Sequence, residues 1–221
     1  MRLSTVLFDL DGVLVNTLPL MRSAYAHIAA CYGYREPSEE VIRQLVRLSP
    51  RQALRHLVGV SDTSALEEFV RYCSANSHLV VAFEGIPELL KRLRSAGLKV
   101  GVVTARNRVD ASRYLRVSGL DGLFDTVVVF GDYKRKKPAP DGILVALSRL
   151  ASRAQQSVYV GDQTEDIMAA QRAGCLAIMA LWGGSGGPIS PDLQGSYTCV
   201  NCPEEIYMIA TFKATQSATP E

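Results

Sequence analysis

The sequence has no apolar run that approaches the roughly 20 residues of a membrane-spanning helix. Its N-terminus lacks the basic segment followed by an apolar segment that marks a secretory signal peptide. The charges nearly cancel, because 24 basic and 22 acidic residues leave a formal charge of +2, so no global field favours nucleic acid or a membrane surface. These absences predict a cytoplasmic protein with neither a nucleic acid nor a membrane as its partner.

The sequence also has few cysteines, and only two of them are closely spaced. Five cysteines are scattered through 221 residues, and this odd number suits a reducing compartment. Cys199 and Cys202 form a single CxxC pair without a second pair or a nearby histidine, which favours loop and strand-end thiols over a zinc site. With 48% hydrophobic and 21% charged residues, the composition is ordinary for a globular protein of one or two domains.

Residues 16–82 differ from the rest of the chain because their apolar residues recur at helical spacing only. We expect no strand in this block. Capping residues, early acids and C-terminal glycines set the predicted helix ends. Four helices are predicted: Leu18 to Tyr32, Pro37 to about Leu48, Arg51 to Val58, and one capped by Ser61 or Asp62 that runs through Cys73.

The remainder of the chain alternates between short apolar strands and helices of about ten residues, which is typical of a parallel, doubly wound sheet. The sequence therefore predicts an α/β core made of residues 1–15 and 83–221, a helical insert at residues 16–82, and a frayed tail at residues 213–221. The predicted strands are Ser4–Phe8, Lys99–Val103, Thr126–Phe130, Ser157–Val160 and Ala177–Leu181, and the helices are Pro87–Ala96, Arg108–Val117, Asp141–Leu150 and Thr164–Ala173.

Two carboxylates follow the first predicted strand. Asp9 and Asp11 are spaced i, i+2, and Gly12 allows the chain to turn sharply behind them. Because open parallel sheets bind ligands beyond the carboxyl ends of their strands, the two acids could flank one reacting centre. A strand followed by plain turn formers is the alternative that these residues alone leave open.

Two other predicted strand ends carry groups that could bind an anion. Thr104 offers a hydroxyl and backbone amides ahead of a helix, although it could equally be a helix cap. Lys137 ends the basic run of residues 134–137, which is otherwise typical of a solvated loop. Pro138 restricts the backbone of Lys137 and so limits where its side chain points.

A second carboxylate pair, Asp162 and Asp166, lies four residues apart at the start of a predicted helix, so both could face one hard cation. Acids at this position are also favoured by the helix dipole alone. Carboxylates, a hydroxyl, amides and a lysine at the same sheet edge are nevertheless the groups that phosphoryl transfer with Mg²⁺ requires.

The motifs DxDGVLV, the threonine after a strand, KKPAPDG and GDxxxDIxAAxxAG occur in this order over most of the chain. Together they resemble the four motifs of the haloacid dehalogenase-like hydrolase superfamily. The helical insert resembles the cap of its phosphoglycolate phosphatase and β-phosphoglucomutase branch. This resemblance implies a Rossmann-like core, a mobile helical cap, Mg²⁺ as cofactor and a small-molecule phosphate ester as substrate.

The resemblance also implies roles for single residues. Asp9 would be the nucleophile that forms an aspartyl-phosphate, and Asp11 the general acid and base. An acid at position 11 favours phosphate over the halide of the related dehalogenases. The phosphate-binding positions would be Thr104, Ala105 and Lys137. The metal site would consist of Asp9, Asp11 (through its carbonyl) and Asp162 as direct ligands, and of Asp166, which would orient water on the metal.

The chain departs from the family pattern at several positions. Asn16 replaces an acid, Ala105 replaces an asparagine or serine beside the phosphate, and Gln163 replaces a threonine or serine beside the metal. None of these changes removes a group that the mechanism requires.

Substrate choice is expected to come from the insert. Arg47, Ser49 and Arg51 lie where this branch carries a specificity loop, although a solvated basic helix face would also explain the two arginines. Met21 stands where the mutase relatives carry a histidine, which disfavours a phosphosugar mutase. A non-catalytic binding protein is the remaining alternative, and the presence of every acid disfavours it.

Overall fold

The computed structural model describes residues 3–59, 63–184 and 197–212. The chain divides into two compact units, which we call the core unit (Met1–Val15 with Ala82–Glu221) and the helical unit (Asn16–Val81). The strands are β1 (Thr5–Phe8), β2 (Val15–Asn16), β3 (Val81–Ala82), β4 (Lys99–Val103), β5 (Thr126–Val128), β6 (Ser157–Gly161), β7 (Leu176–Ala180) and β8 (Tyr197–Val200). The helices are α1 (Leu18–Cys31), α2 (Glu39–Leu45), α3 (Pro50–Val58), α4 (Thr63–Ala75), α5 (Ile86–Ser95), α6 (Arg108–Val117), α7 (Asp141–Arg149), α8 (Thr164–Ala173) and α9 (Pro203–Phe212), and short 3-10 turns lie at Ser77–Leu79 and Ala154–Gln156.

The core unit is built on a parallel sheet in the order β5-β4-β1-β6-β7-β8. Strand β1 lies in its interior, where Leu7 pairs with Gly101 on one side and Tyr159 on the other. All four residues of β1 are buried, as expected for a strand that helices cover on both faces. The predicted α/β, Rossmann-like parallel sheet is therefore confirmed.

One face of this sheet packs against α7 and α8. Leu7 and Tyr159 contribute the central side chains of that face, and both are fully buried. They contact apolar residues of the two helices, including Ile143 and Ile167. This layer fixes the start of α8 beneath the end of β6, where part of the candidate site lies.

The helical unit contains α1 to α4, and α1 contacts each of the other three helices. Tyr25 of α1 stacks on Phe69 of α4 with ring centroids 5.4 Å apart, so aromatic packing joins these two helices. Ser38 caps α2 by accepting a hydrogen bond from the Val41 N–H at 3.4 Å. Gly59 ends α3 in the left-handed conformation, with φ of 73°.

The expectation that residues 16–82 contain no strand is wrong at both ends of that block. Strands β2 and β3 pair with each other where the chain passes between the units. Each has only two residues, which is too short to show a periodic pattern. Helix α2 also ends at Leu45 rather than near Leu48.

The last strand and helix of the core unit were not predicted from the sequence. Strand β8 lies at one edge of the sheet, and its residues Thr198 and Cys199 are exposed. Its sequence therefore lacks the continuous apolar run that marks a buried strand. Helix α9 does carry the ordinary start signals, because Pro203 is its first residue and two acids follow in the first turn.

Some predictions fall outside the described residues, namely the cap of α4 at Ser61 or Asp62 and the tail at residues 213–221. Among the helices that are described, none is long and apolar enough to cross a membrane.

Candidate active site

Three strands of the core unit end at the same edge of the sheet, and each is followed by a buried polar residue. Asp9 follows β1, Thr104 follows β4 and Asp162 follows β6. Their exposed fractions are 7%, 1% and 3%, respectively. Buried polar groups need partners, so this edge must supply hydrogen bonds or charges to all three.

The carboxylates of Asp9, Asp162 and Asp166 form a cluster. Each offers one oxygen, and these oxygens lie within 4.8 Å of one another. Asp166 is held in the first turn of α8, where its Oδ2 accepts hydrogen bonds from the N–H groups of Asp162 at 3.2 Å and Gln163 at 3.0 Å. Asp166 therefore caps its helix and faces the cluster, so the two explanations offered for its position are compatible.

Gly161 makes room for this arrangement. A Cβ atom built on Gly161 would collide with the side chain of Asp166. The last residue of β6 must therefore be glycine for the Asp166 carboxylate to remain beside the strand end.

Lys137 lies inside the cluster. Its Nζ donates to Oδ1 of Asp9 at 2.7 Å, contacts Oδ1 of Asp166 at 2.5 Å, and donates to the hydroxyl of Tyr159 at 3.0 Å. Burial alone would lower the pKa of Lys137, but Asp166 and Asp9 hold it well above its ordinary value. The side chain is therefore a fixed cation at this strand edge.

The cluster still carries more negative than positive charge, because it contains three buried carboxylates and one lysine, which pairs with Asp9 and Asp166. Burial raises the pKa of the Asp9 carboxyl well above its ordinary range, Lys137 opposes that rise, and the neighbouring carboxylates add to it. An oxygen-only donor set with excess negative charge suits a hard divalent cation.

Asp11 points to a different partner. Its carboxylate accepts a two-pronged set of hydrogen bonds from Arg106, with Nε 2.8 Å from Oδ2 and Nη2 2.8 Å from Oδ1. The Arg106 guanidinium also lies over the Tyr114 ring, 4.6 Å from its centroid. Gly12, with φ of 76°, forms the turn that follows Asp11.

Thr104 is not the cap of the helix that follows it. Its Oγ1 accepts a hydrogen bond from the Arg106 N–H at 3.2 Å, whereas the cap of α6 is Asn107, which accepts from the Asp110 N–H at 2.9 Å. The carbonyl of Thr104 accepts from the Tyr133 hydroxyl at 2.9 Å. This helix-cap alternative is therefore wrong, and Thr104 is held at the strand edge by its own hydrogen bonds.

The comparison with protein-family models decides the family. The model described as haloacid dehalogenase-like hydrolase matches residues 6–180, which is more than half of the chain. The chain belongs to the haloacid dehalogenase-like hydrolase family. The resemblance stated from the motifs and the predicted enzyme class, an HAD-like phosphatase, are confirmed.

Individual relatives agree with this family. A protein named pyrophosphatase PpaX in Bacillus mycoides is 32% identical over 187 residues, covering 82% of this chain and 85% of the relative. A structure from Thermotoga maritima, provisionally named a β-phosphoglucomutase, has a TM-score of 0.76 at 27% identity and covers 96% of this chain and 100% of its own. A predicted phosphoglycolate phosphatase from Haemophilus somnus has a TM-score of 0.80 and covers 96% of this chain and 99% of its own, but at 20% identity it shows the fold alone.

The other predicted positions of this hydrolase lie as follows. Ala105 is exposed beside Thr104, and Arg135 of the basic run pairs with Asp141 at 2.8 Å, so Lys137 is the member of the run that enters the carboxylate cluster. Arg47, Ser49 and Arg51 belong to the helical unit, where all three are exposed and Ser49 caps α3.

Among the described residues of the core unit, sequence reasoning missed several that contact the site, including Arg106 and Tyr159. Arg106 holds Asp11, and Tyr159 hydrogen-bonds to Lys137. Arg106 lies only two residues after Thr104, so its place near the site could have been expected, but its pairing with Asp11 required the folded chain. Tyr159 sits inside a strand, where a buried aromatic residue is ordinary.

Proposed function

We propose that this hydrolase is an Mg²⁺-dependent phosphatase that acts on a small phosphorylated metabolite through an aspartyl-phosphate intermediate. The observation that carries the proposal is the convergence of Asp9, Asp162 and Asp166 at the carboxyl edge of the sheet, with Lys137 paired to Asp9 and Asp166. One carboxylate can attack phosphorus only if other groups neutralise the charge that two anions bring together. Lys137 supplies part of that neutralisation.

The carboxylate of Asp9 is proposed as the nucleophile. Attack on phosphorus breaks the ester bond, releases the leaving oxygen and leaves a mixed anhydride on Asp9 that water can hydrolyse in a second step. Lys137 and the amides after Thr104 would hold the phosphoryl oxygens, and Ala105 would contribute only its backbone. The result is one phosphate and one alcohol for each water consumed.

Asp11 is proposed as the proton carrier. Asp11 would have to carry a proton when the substrate is bound, so its two-pronged bond with Arg106 must loosen at that stage. It would give this proton to the leaving oxygen in the first step and recover one from water in the second. Arg106 holds the Asp11 carboxylate with hydrogen bonds of 2.8 Å, so it fixes the position of the ionised side chain. We propose Arg106 as a positioning residue for this reason.

Asp9, Asp162 and Asp166 would hold Mg²⁺, together with the backbone carbonyl of Asp11. The excess negative charge of the three buried carboxylates supports this assignment. A bound Mg²⁺ would neutralise phosphate charge and orient the phosphoryl group.

The substrate is proposed to be a phosphoglycolate-like or sugar phosphate-like ester, selected by the helical unit acting as a cap through Arg47, Ser49 and Arg51. Pyrophosphate is a second candidate, because relatives at 32% identity over 187 residues carry the name pyrophosphatase. The five free cysteines support a reducing compartment such as the cytoplasm as the place of action.

A phosphosugar mutase is less well supported. The Thermotoga maritima neighbour with a mutase name is 27% identical, but position 21 here is a buried methionine rather than the histidine of such relatives. A binding protein without activity is disfavoured by the intact carboxylate cluster.

A substrate panel tests the proposal. Phosphate release from an unhindered aryl phosphate, 2-phosphoglycolate, sugar phosphates and pyrophosphate should require Mg²⁺ and stop with a chelator. Asp162→Asn should lose activity, whereas the exposed Asp121→Asn serves as the matched control. If every compound stays intact with Mg²⁺, the phosphatase assignment fails, and isomerisation of a phosphosugar without phosphate release would favour the mutase.

A further inference from the structure

A second group of metal-binding side chains lies within the helical unit, among residues that the proposed reaction does not use. His27 and Cys31 are four residues apart on α1 and so share one face of that helix, and Glu68 projects from α4. One ligand atom from each lies within 4.8 Å of the other two. The three side chains supply nitrogen, sulfur and oxygen.

The partners of His27 meet at one ring atom. Oε1 of Glu68 lies 2.6 Å from Nε2 of His27, and Sγ of Cys31 lies 3.6 Å from the same nitrogen. A proton relay from carboxylate to thiol would use the two different ring nitrogens, so this arrangement is not a Glu-His-Cys relay. Three ligand atoms that lie within 4.8 Å of one another are close enough to share one cation.

The distances fit a tetrahedral ion. Zinc–nitrogen bonds of about 2.0–2.1 Å and zinc–sulfur bonds of about 2.3 Å place the two ligand atoms about 3.5 Å apart at a tetrahedral angle. The separation between Nε2 of His27 and Sγ of Cys31 in the structure is 3.6 Å. The 2.6 Å separation between Oε1 of Glu68 and Nε2 of His27 must lengthen to admit an ion.

Neighbouring side chains hold the ligands in place. The His27 ring stacks on Tyr72 with centroids 4.3 Å apart, and the Tyr72 hydroxyl lies 2.7 Å from Oγ of Ser23. Arg71 bonds to Oε2 of Glu68, which leaves Oε1 directed at His27.

We propose that His27, Cys31 and Glu68 form a binding site for a thiophilic divalent ion of the Zn²⁺ or Co²⁺ class. The ion replaces the proton on Nε2 of His27 and the thiol proton of Cys31, and water occupies the fourth position. It joins α1 to α4 inside the helical unit. Sulfur and nitrogen ligands distinguish it from the all-carboxylate cluster of the core unit, which suits harder ions.

Titration of the reduced, full-length protein with Co²⁺ tests the site. Excess Mg²⁺ is present throughout to occupy the carboxylate cluster. The wild type should show a thiolate-to-cobalt charge-transfer band that saturates at one ion per chain and disappears when Zn²⁺ is added. Cys31→Ser should lose this band completely, and Glu68→Gln should weaken Co²⁺ binding by about tenfold or more.

The double variant Cys199→Ser/Cys202→Ser is the matched control. The two thiols that it removes are exposed, as the Cys31 thiol is, but they lie in the core unit. It should retain the band with unchanged stoichiometry. Far-UV circular dichroism verifies that Cys31→Ser is folded, which is expected because Cys31 is exposed. Absence of the band in the wild type, its persistence in Cys31→Ser, or its loss in the control would each overturn the proposal.

Discussion

At the scale of single residues, the site is defined by which charges are paired. Lys137 bridges Asp9 and Asp166, while Asp11 is turned toward Arg106. The two acids of the DxD motif therefore have different partners although they are only two residues apart. This difference in environment supports different chemical roles for them.

Replacing Arg106 tests the positioning of Asp11. In Arg106→Leu the Asp11 carboxylate loses its two-pronged partner and can rotate. We therefore expect kcat to fall by roughly tenfold or more, with only a modest fall in the free energy of unfolding. Steady-state kinetics at saturating Mg²⁺ measure this effect. Arg113→Leu, which removes a pair with Asp110 on the same helix, is the control and should leave kcat within about twofold. An unchanged kcat in Arg106→Leu would remove Arg106 from the mechanism.

How far the sequence predicts the site is clearest at this scale. Asp9, Thr104 and Asp162 could be placed because a polar residue directly after a buried strand must lie at the sheet edge. The resemblance to the family supplied their expected roles. The Arg106 to Asp11 pair joins residues 95 positions apart in the chain, and no local pattern encodes it.

At the scale of elements, turns at the strand ends decide where the carboxylates lie. The predicted bounds of β4, α6 and α8 match the structure because apolar runs and caps mark both ends. The two-residue strands and the edge strand β8 have weaker signals, because their pairing depends on partners distant in the chain.

The junction of β6 and α8 makes a sharp prediction. Gly161→Ala places a Cβ against the Asp166 side chain, so we expect loss of Mg²⁺-dependent activity together with destabilisation of about 1–3 kcal/mol. Activity at several Mg²⁺ concentrations and chemical denaturation measure the two effects. Gly33→Ala is the control, because its φ of 75° imposes backbone strain without any nearby atom. An equal loss of Mg²⁺-dependent activity in the two variants would contradict the steric explanation.

A charged network joins α6 and α7 to the segment that follows β5. Asp132 accepts hydrogen bonds from Arg108 of α6 at 2.7 Å, from Arg149 of α7 at 3.0 Å and from the Val129 N–H at 3.2 Å. Burial opposes the charge on Asp132, but the arginine hydrogen bonds lower its pKa below the ordinary value. The network therefore stabilises the folded state when the carboxylate is ionised.

This lowered pKa predicts a pH dependence of stability. A carboxyl whose pKa is lower in the folded state stabilises the protein above its unfolded pKa of about 3.9 and loses that contribution as the pH falls through its folded value. Asp132→Asn should therefore cost roughly 1–2 kcal/mol near pH 7, and the difference from wild type should shrink below about pH 4. Denaturant unfolding of both proteins near pH 7 and below about pH 4 measures this difference in the free energy of unfolding. A difference that does not depend on pH would contradict the electrostatic account.

At the scale of the whole molecule, the chain consists of a parallel-sheet core unit interrupted by a helical unit. The charged chemistry described above is concentrated in the core unit, while the helical unit carries the His27, Cys31 and Glu68 site and the exposed Arg47, Ser49 and Arg51. Alternating strands and helices predicted this organisation because a parallel sheet needs a helix between successive strands.

The reactivity of the cysteine thiols measures whether both units are correctly packed. Cys31, Cys199 and Cys202 are exposed, whereas Cys73 and Cys175 are buried, and burial raises the pKa of Cys175 to about 12. A thiol reagent added to the folded protein with a metal chelator should therefore modify three thiols rapidly, and all five only after denaturation. Rapid reaction of all five without denaturant would show that the packing around Cys73 or Cys175 is different.

The central claim is that Asp9 becomes covalently phosphorylated during turnover. The most direct measurement is an acid quench of the enzyme while it hydrolyses a phosphate ester with Mg²⁺, followed by peptide mapping by mass spectrometry. The account predicts one phosphoryl group on the peptide that contains Asp9, and a loss of at least about 10³-fold in kcat for Asp9→Asn. A phosphoryl group on another residue, or turnover by Asp9→Asn within about tenfold of wild type, would contradict it.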